Sequence, residues 1–301
     1  MMSLEILKSC PVCQSNSFNN YLNVEDYTVS KKEFTIQQCN ACYFLFTNPR
    51  PDIDEIGAYY KSEEYISHHD EAKNVMSKIY TSVRNYTISQ KIKLINQLYP
   101  KPGSLLDIGC GTGNFLQATK QAGWKITGTE PDSEARKVAG NRVGETIQES
   151  INAPELSGRQ FDIITMWHVL EHVHLLNETI DWLSEHLASE GKVIIAVPNP
   201  QSADAAHYRR FWAAYDVPRH LYHFTKDSMA LLMKKHGFKI DTIHPMWFDS
   251  FYVSMLSTKY KSRKIDLFDS IKTGVLSNLK GKSSQPKDLN TSSLIYVISK
   301  I

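Results

Sequence analysis

The chain has no apolar run that approaches a membrane span. Its longest, Lys192-Val-Ile-Ile-Ala-Val-Pro198, is the size of one buried strand. An excess of one charge is also missing: 34 Lys+Arg against 32 Asp+Glu leaves a net +2. That balance argues against nucleic acid or an anionic membrane as the main partner. Cysteine is scarce, with five in 301 residues, and the count is odd. The first ten residues include Glu5 and Lys8 and hold no apolar leader core. A disulfide framework and secretion are therefore not expected, and the cytoplasm is the expected compartment. No internal repeat is visible.

What is present is ordinary in bulk and informative in detail. Hydrophobic residues make up 42% and charged residues 22%, the balance of a water-facing globular chain. The length suits one large domain with a small one attached. Four of the five cysteines fall into two pairs, Cys10-Pro-Val-Cys13 and Cys39-Asn-Ala-Cys42. Two intervening residues let both thiolates of a pair converge on one ion. Two such knuckles give the four-sulfur set that structural Zn²⁺ prefers, with no open position for a catalytic water. The stretches Tyr21–Tyr27 and Lys32–Gln38 alternate like a strand pair between the knuckles. A zinc ribbon over residues 1–50 is the expectation, against reduced unliganded thiols or a redox dithiol. It lacks a basic cluster for nucleic acid.

Tyr43–Phe46 reads as a strand, and Asn48-Pro-Arg-Pro51 breaks it. Residues 51–103 form a connector. Its first part, 52–70, is a short helix and a loop rich in rings (Tyr59, Tyr60, Tyr65, His68, His69); its second, 74–98, is a helix stopped by Pro100 and Pro102. From 104 onward strands and helices alternate. Strands fall at 104–108, 125–129, 146–148, 161–166, 192–197, 238–243 and 292–299, with helices at 113–122, 132–140, 175–188 and 228–237. This alternation implies a doubly wound, mainly parallel α/β sheet over 104–301. Residues 259–287 hold eight Lys/Arg against two Asp. They read as a solvated, partly mobile basic insertion reaching to about 290.

The most telling stretch is Leu105-Leu-Asp-Ile-Gly-Cys-Gly-Thr-Gly-Asn-Phe-Leu116. A strand runs into Gly109, Gly111 and Gly113, and a helix begins at once. Such a loop lets backbone approach a ligand and offers free N–H groups at a helix start. The spacing is G-x-G-x-G rather than the dinucleotide G-x-G-x-x-G. Asp107 precedes it, and would repel a pyrophosphate but could pair with an ammonium group. Glu130 ends the next strand, placed to accept from two ribose hydroxyls. Together these favour S-adenosylmethionine over NAD.

Here the chain resembles the class I S-adenosylmethionine-dependent methyltransferases, over about residues 85 to 300. Leu105–Leu116 is similar to their first motif, Glu130 to their ribose-binding acid, and Glu149 lies near their adenine-binding loop. Phe161–His172 resembles their fourth strand and following turn, where Trp167 and His168 would line the cofactor pocket. The resemblance implies a seven-stranded Rossmann-like sheet of order 3-2-1-4-5-7-6 with strand 7 antiparallel. His168-Val-Leu-Glu171-His172 also spells H-x-x-E-H, an inverted zinc-protease motif. The β-branched strand before it argues against the helix that motif needs.

Candidate acid–base residues cluster in Tyr215–Thr225, with His220 as first choice. Arg219 could grip an acceptor anion, and Tyr59, Tyr60 and His223 are further acceptor candidates. The segment resembles quinone-type O-methyltransferases. It also resembles zinc-ribbon sugar C-methyltransferases, whose Glu-His pair is Arg219-His220 here. The expected function is O- or C-methylation of a small biosynthetic acceptor, such as a sugar nucleotide. The alternatives are an RNA methyltransferase gripping nucleic acid with its ribbon and a non-catalytic cofactor binder.

Overall fold

A computed structural model describes residues 3–60, 75–262, 267–281 and 289–301. The N-terminal part contains five short strands: β1 (Leu4–Glu5), β2 (Phe18–Glu25), β3 (Glu33–Cys39), β4 (Leu45–Thr47) and β5 (Arg50–Pro51). β2 and β3 form a hairpin whose turn is tied by Asp26. Its carboxylate accepts from the backbone N–H groups of Thr28, Val29 and Ser30. Those bonds hold its pKa below the usual carboxylate value although burial pushes the other way.

The central strands are β6 (Ser104–Ile108), β7 (Lys125–Thr129), β8 (Phe161–Trp167) and β9 (Leu187–Pro198). They are followed by β10 (Tyr222–His223), β11 (Phe238–Pro245) and β12 (Ser293–Lys300). Six of them form one sheet of order β11-β12-β9-β8-β6-β7. β6 is parallel to β7 and β8, and β8 to β9, whereas β12 runs antiparallel to both its neighbours. Leu105, Leu106, Ile163, Ile164, Ile194 and Ile195 are completely buried, because helices cover both faces. The expected strand at 146–148 is reduced to a single parallel bridge between Thr129 and Gln148. That stretch is short and polar, and only Ile147 of Glu145–Ser150 is buried.

The helices Val75–Leu98, Asn114–Gln121, Ser133–Val143, Leu176–His186 and Lys226–Lys235 lie close to their expected positions. The basic stretch differs. Asp249–Ser262 and Leu267–Gly281 are helices, and the rest of 259–287 lies outside the described residues. Small hydroxyls let these helices approach closely. Ser257 Oγ accepts from Ala213 N at 2.8 Å, and the buried Asp204 accepts from Trp212 Nε1, Ser277 Oγ and Ser292 Oγ at 2.7–2.8 Å. Hydropathy patterning misses such packing, because it scores serine as polar. Among the described residues no helix is long and apolar enough to cross a membrane.

The ribbon is joined to the sheet domain. β4 pairs with β10 and with β3, giving a four-stranded sheet of order β10-β4-β3-β2. Cys10, Cys39, Phe44 and Phe46 belong to the same buried cluster as Ile164, Val193 and Tyr296.

Candidate active site

β6 and β7 are parallel neighbours, and their C-terminal ends place the glycine loop beside Glu130. In an open α/β sheet ligands bind at that edge. Gly111 donates its N–H to Glu130 Oε2 at 2.8 Å, and Asp132 N–H donates to Oε1 at 3.0 Å. Each carboxylate oxygen keeps a second lone pair for another donor. Burial raises the pKa of Glu130 against these bonds. Gly111 has φ +53° and open space where a Cβ would stand, so its backbone faces free volume. Gly113, at φ +77°, caps the helix Asn114–Gln121, and a Cβ there would come within 3.0 Å of Ala139. Gly109 closes the other end of the loop, also at positive φ. Glu149 lies beyond Gln148 on the same rim. Its side chain is 76% exposed and 4.0 Å from Arg136.

Asp107 is buried and accepts from Thr165 Oγ1 at 2.6 Å. Burial pushes its pKa up to about 7, opposed by Thr165 and by Lys91. Lys91, from the helix Val75–Leu98, is pushed down by burial to about 8. Its Nζ stands 4.1 Å from the centre of the Trp167 ring, which packs edge-on against Phe115. Trp167 Nε1 is buried and has no hydrogen-bond partner. This cation beside Asp107 gave no sequence signal, since a lysine on a helix ordinarily faces solvent.

His168 follows β8 with φ +58°, and only Leu170–His172 forms a helical turn. The inverted zinc-protease geometry, which needs one helix carrying both histidines, is therefore not formed. His168 Nδ1 lies 3.2 Å from Glu171 Oε1, and Nε2 lies 2.8 Å from Asp249 Oδ2. Burial alone would lower its pKa, but the two carboxylates push it up to about 10. A folded-state value above the ordinary 6.5 stabilises the protein fully below pH 6.5 and loses effect as pH rises through 10. The melting temperature of the protein is expected to decline over that window, and Asp249→Asn to flatten the decline. Equal slopes in the two proteins would refute the pairing.

A second cluster gathers around Glu171, which is fully buried. His172 and His220 meet edge-on, with ring centres 4.6 Å apart. His172 Nδ1 bonds the Arg219 carbonyl at 3.0 Å and lies 2.9 Å from the Tyr60 hydroxyl. His220 Nδ1 bonds the Ala214 carbonyl at 2.9 Å, and its Nε2 lies 3.8 Å from Asp216 Oδ2. Burial and the His220 ring push His172 down to about 4. Asp216 therefore supplies a carboxylate near His220 four residues earlier, not from the adjacent position.

The remaining expected acceptor residues sit elsewhere. The Arg219 guanidinium is engaged within the protein. It bonds Asp216 through Nε and Nη2 and the Tyr59 carbonyl through Nη1, with Asp26 3.8 Å away. It thereby ties the Asp26 turn to the loop carrying His220. Tyr59 is buried against Phe34. His223 is buried in β10, 3.3 Å from Thr47 Oγ1, and burial and His220 push it down to about 3. Tyr65, His68 and His69 lie outside the described residues.

The four cysteines converge as well. Cys10 and Cys42 Sγ are 3.6 Å apart, Cys13 and Cys39 Sγ 3.5 Å, and all four lie within 4.8 Å of one another. Sulfurs bound to one zinc at about 2.3 Å would be roughly 3.8 Å apart in a tetrahedron. Backbone N–H groups of Ala41 and Cys42 point at Cys39, and those of Val12 and Cys13 at Cys10. The donor set and its knuckles fit a zinc ion.

The methyltransferase-domain family matches residues 80–243, more than half of the chain. The chain belongs to this family. As a member it is 30% identical to an uncharacterized methyltransferase of Alkaliphilus oremlandii over 101 residues, 32% of this chain and 46% of that protein. It is 23% identical to the C-methyltransferase NovU of Streptomyces niveus over 145 residues, 46% of this chain and 34% of that protein. The chain thus spans less than half the length of these two relatives. Its fold is that of the S-adenosylmethionine-dependent methyltransferases. The magnesium protoporphyrin IX methyltransferase of Synechocystis, solved with bound SAH, overlays with a TM-score of 0.53 at 13% identity. That match covers 83% of this chain and all of that one.

Proposed function

We propose that the chain transfers the methyl group of S-adenosylmethionine to a small biosynthetic acceptor at oxygen or carbon. The observation that carries this is the convergence of Asp107, the Gly109–Gly113 loop and Glu130 at the C-terminal edge of β6 and β7. Glu130 accepts from the ribose hydroxyls, and Asp107 draws the ammonium end toward β6. Trp167, His168 and Glu149 complete the walls, and the unpartnered Trp167 Nε1 offers a donor. The bound cofactor supplies an activated methyl group on a sulfonium. Methyl transfer then requires chiefly that acceptor, methyl and sulfur be held in line.

The acceptor's proton goes to His220. Its Nδ1 is committed to the Ala214 carbonyl, which leaves the Nε2 lone pair to take a proton. The ring arrangement of His172 and His220 supports acid–base work, and Tyr60 borders it through His172. Arg219, Tyr59 and His223 serve as the frame of this site. The partial likeness to the C-methyltransferase NovU favours carbon as the target, while Arg219-His220 in place of a Glu-His pair keeps oxygen as a target. In this reading residues 1–50 form a ribbon held by a structural zinc on Cys10, Cys13, Cys39 and Cys42. Residues 51–103 connect it to the transferase core at 104–301.

His220→Ala is expected to lower kcat about 100-fold or more with unchanged affinity for S-adenosylmethionine. The assay is a metabolite-library screen with labelled cofactor, followed by calorimetry on the variant. Transfer at full rate would reject the base assignment. A wild-type chain that binds no S-adenosylmethionine would reject the function.

A further inference from the structure

The H-x-x-E-H residues are only partly used above, and Glu171 is the unexplained member. It is a fully buried carboxylate whose Oε2 has no hydrogen-bond partner. Such a group is costly unless something pairs with it. His168 occupies Oε1. On its other side Glu171 faces His172 and His220.

We propose that Glu171, His172 and His220 form a second metal site, for a divalent transition ion, and that its occupancy silences the acid–base chemistry. One ligand atom from each residue lies within 4.8 Å of the others. Ligand atoms about 2.1 Å from one ion stand roughly 3–4 Å apart, so a closure of about 1 Å seats it. Two imidazoles and one carboxylate suit zinc, iron, cobalt or nickel, and disfavour magnesium and calcium. Both rings are already set for it. Nδ1 of His172 donates to the Arg219 carbonyl, and Nδ1 of His220 to the Ala214 carbonyl. A carbonyl only accepts, so each bond favours the tautomer with Nε2 as lone-pair donor, the usual outer support of a metal-bound histidine, and at His172 the Tyr60 hydroxyl oxygen then faces the same Nδ1–H. Asp216, the other nearby carboxylate, is held by Arg219. Glu171 Oε2, which has no partner, is therefore the carboxylate oxygen left to ligate.

The effect on rate rests on the proposal that His220 is the base; the binding does not. An ion on His220 Nε2 takes the lone pair that would accept the acceptor's proton. Micromolar Zn²⁺ is then an inhibitor, reversed by a chelator too weak to strip the cysteine site.

The test uses the full chain with its cysteine site zinc-loaded. Co²⁺ is titrated by calorimetry and absorption spectroscopy, with metal per chain measured by elemental analysis. The expected result is one further ion, whose spectrum lacks the thiolate charge-transfer band of a cysteine site. Its affinity should fall about 100-fold in Glu171→Gln and in His220→Ala. The spectrum of the unmodified chain needs no variant, so poor folding of either variant leaves the test intact. Saturation without a second ion, or a second ion bearing thiolate bands, would overturn the site. A second ion that binds yet leaves methyl transfer undiminished would overturn the silencing and remove His220 as base. Loss of transfer in His220→Ala without any second ion would reject the metal site and keep the base.

Discussion

Glu130→Ala is expected to weaken S-adenosylmethionine binding by about 100-fold. Two charge-assisted hydrogen bonds to ribose hydroxyls, at ~1.5 kcal/mol each, give ~3 kcal/mol, or two decades in Kd. The substitution acts twice. The same carboxylate holds the N–H groups of Gly111 and Asp132, so its removal also frees the glycine loop. Glu130→Gln separates the two effects. Its amide oxygen can keep one backbone bond, while its NH₂ cannot accept from a hydroxyl. Calorimetry should therefore rank wild type tightest, Gln intermediate and Ala weakest. Equal affinity in all three proteins would remove Glu130 from the cofactor site and take the ribose argument with it.

That prediction could be framed from sequence because its residues are close in the chain and fixed by local rules. A strand, a three-glycine turn and a second parallel strand leave little freedom, and Asp107 and Glu130 fall at adjacent β-strand ends. The paired cysteines are legible for the same reason. Legibility fails where contact depends on distant segments. Lys91 reaches Asp107 from a helix ending before β6, and Asp249 reaches His168 from a helix 81 residues on. His172 and His220 meet where a short helical turn packs against a distant loop, which no periodicity encodes. The partners of Arg219 are hidden for a related reason. A sequence shows its charge but not that Asp216 and the Tyr59 carbonyl already hold it. The stretch at 146–148 shows the reverse limit, since the alternation of strands and helices supplies a strand where this chain keeps one bridge.

Removing the proposed zinc, by strong chelation or by Cys39→Ser, is expected to have the largest effect on stability. A ribbon this small buries too little apolar surface to hold itself, so metal binding supplies folding energy. A loss of ~4 kcal/mol would lower the melting temperature by about 10 °C. The damage should spread in one direction. β4 pairs with β10, Thr47 Oγ1 donates to the His220 carbonyl at 2.8 Å, and the Pro11 carbonyl accepts from Asn177 and Lys235. Loosening the knuckles therefore releases the loop that carries His220, whereas Asp107 stands on β6, Glu130 directly follows β7, and neither has a bond to the ribbon among those described. Acceptor kcat/KM should fall about 100-fold, the scale of a 1 Å misplacement, while cofactor affinity holds. Comparable losses at both substrates would mean global unfolding, and no loss in either would mean that the cysteines hold no structural ion. The separation of the two losses is what assigns the ribbon to the acceptor side of the cleft.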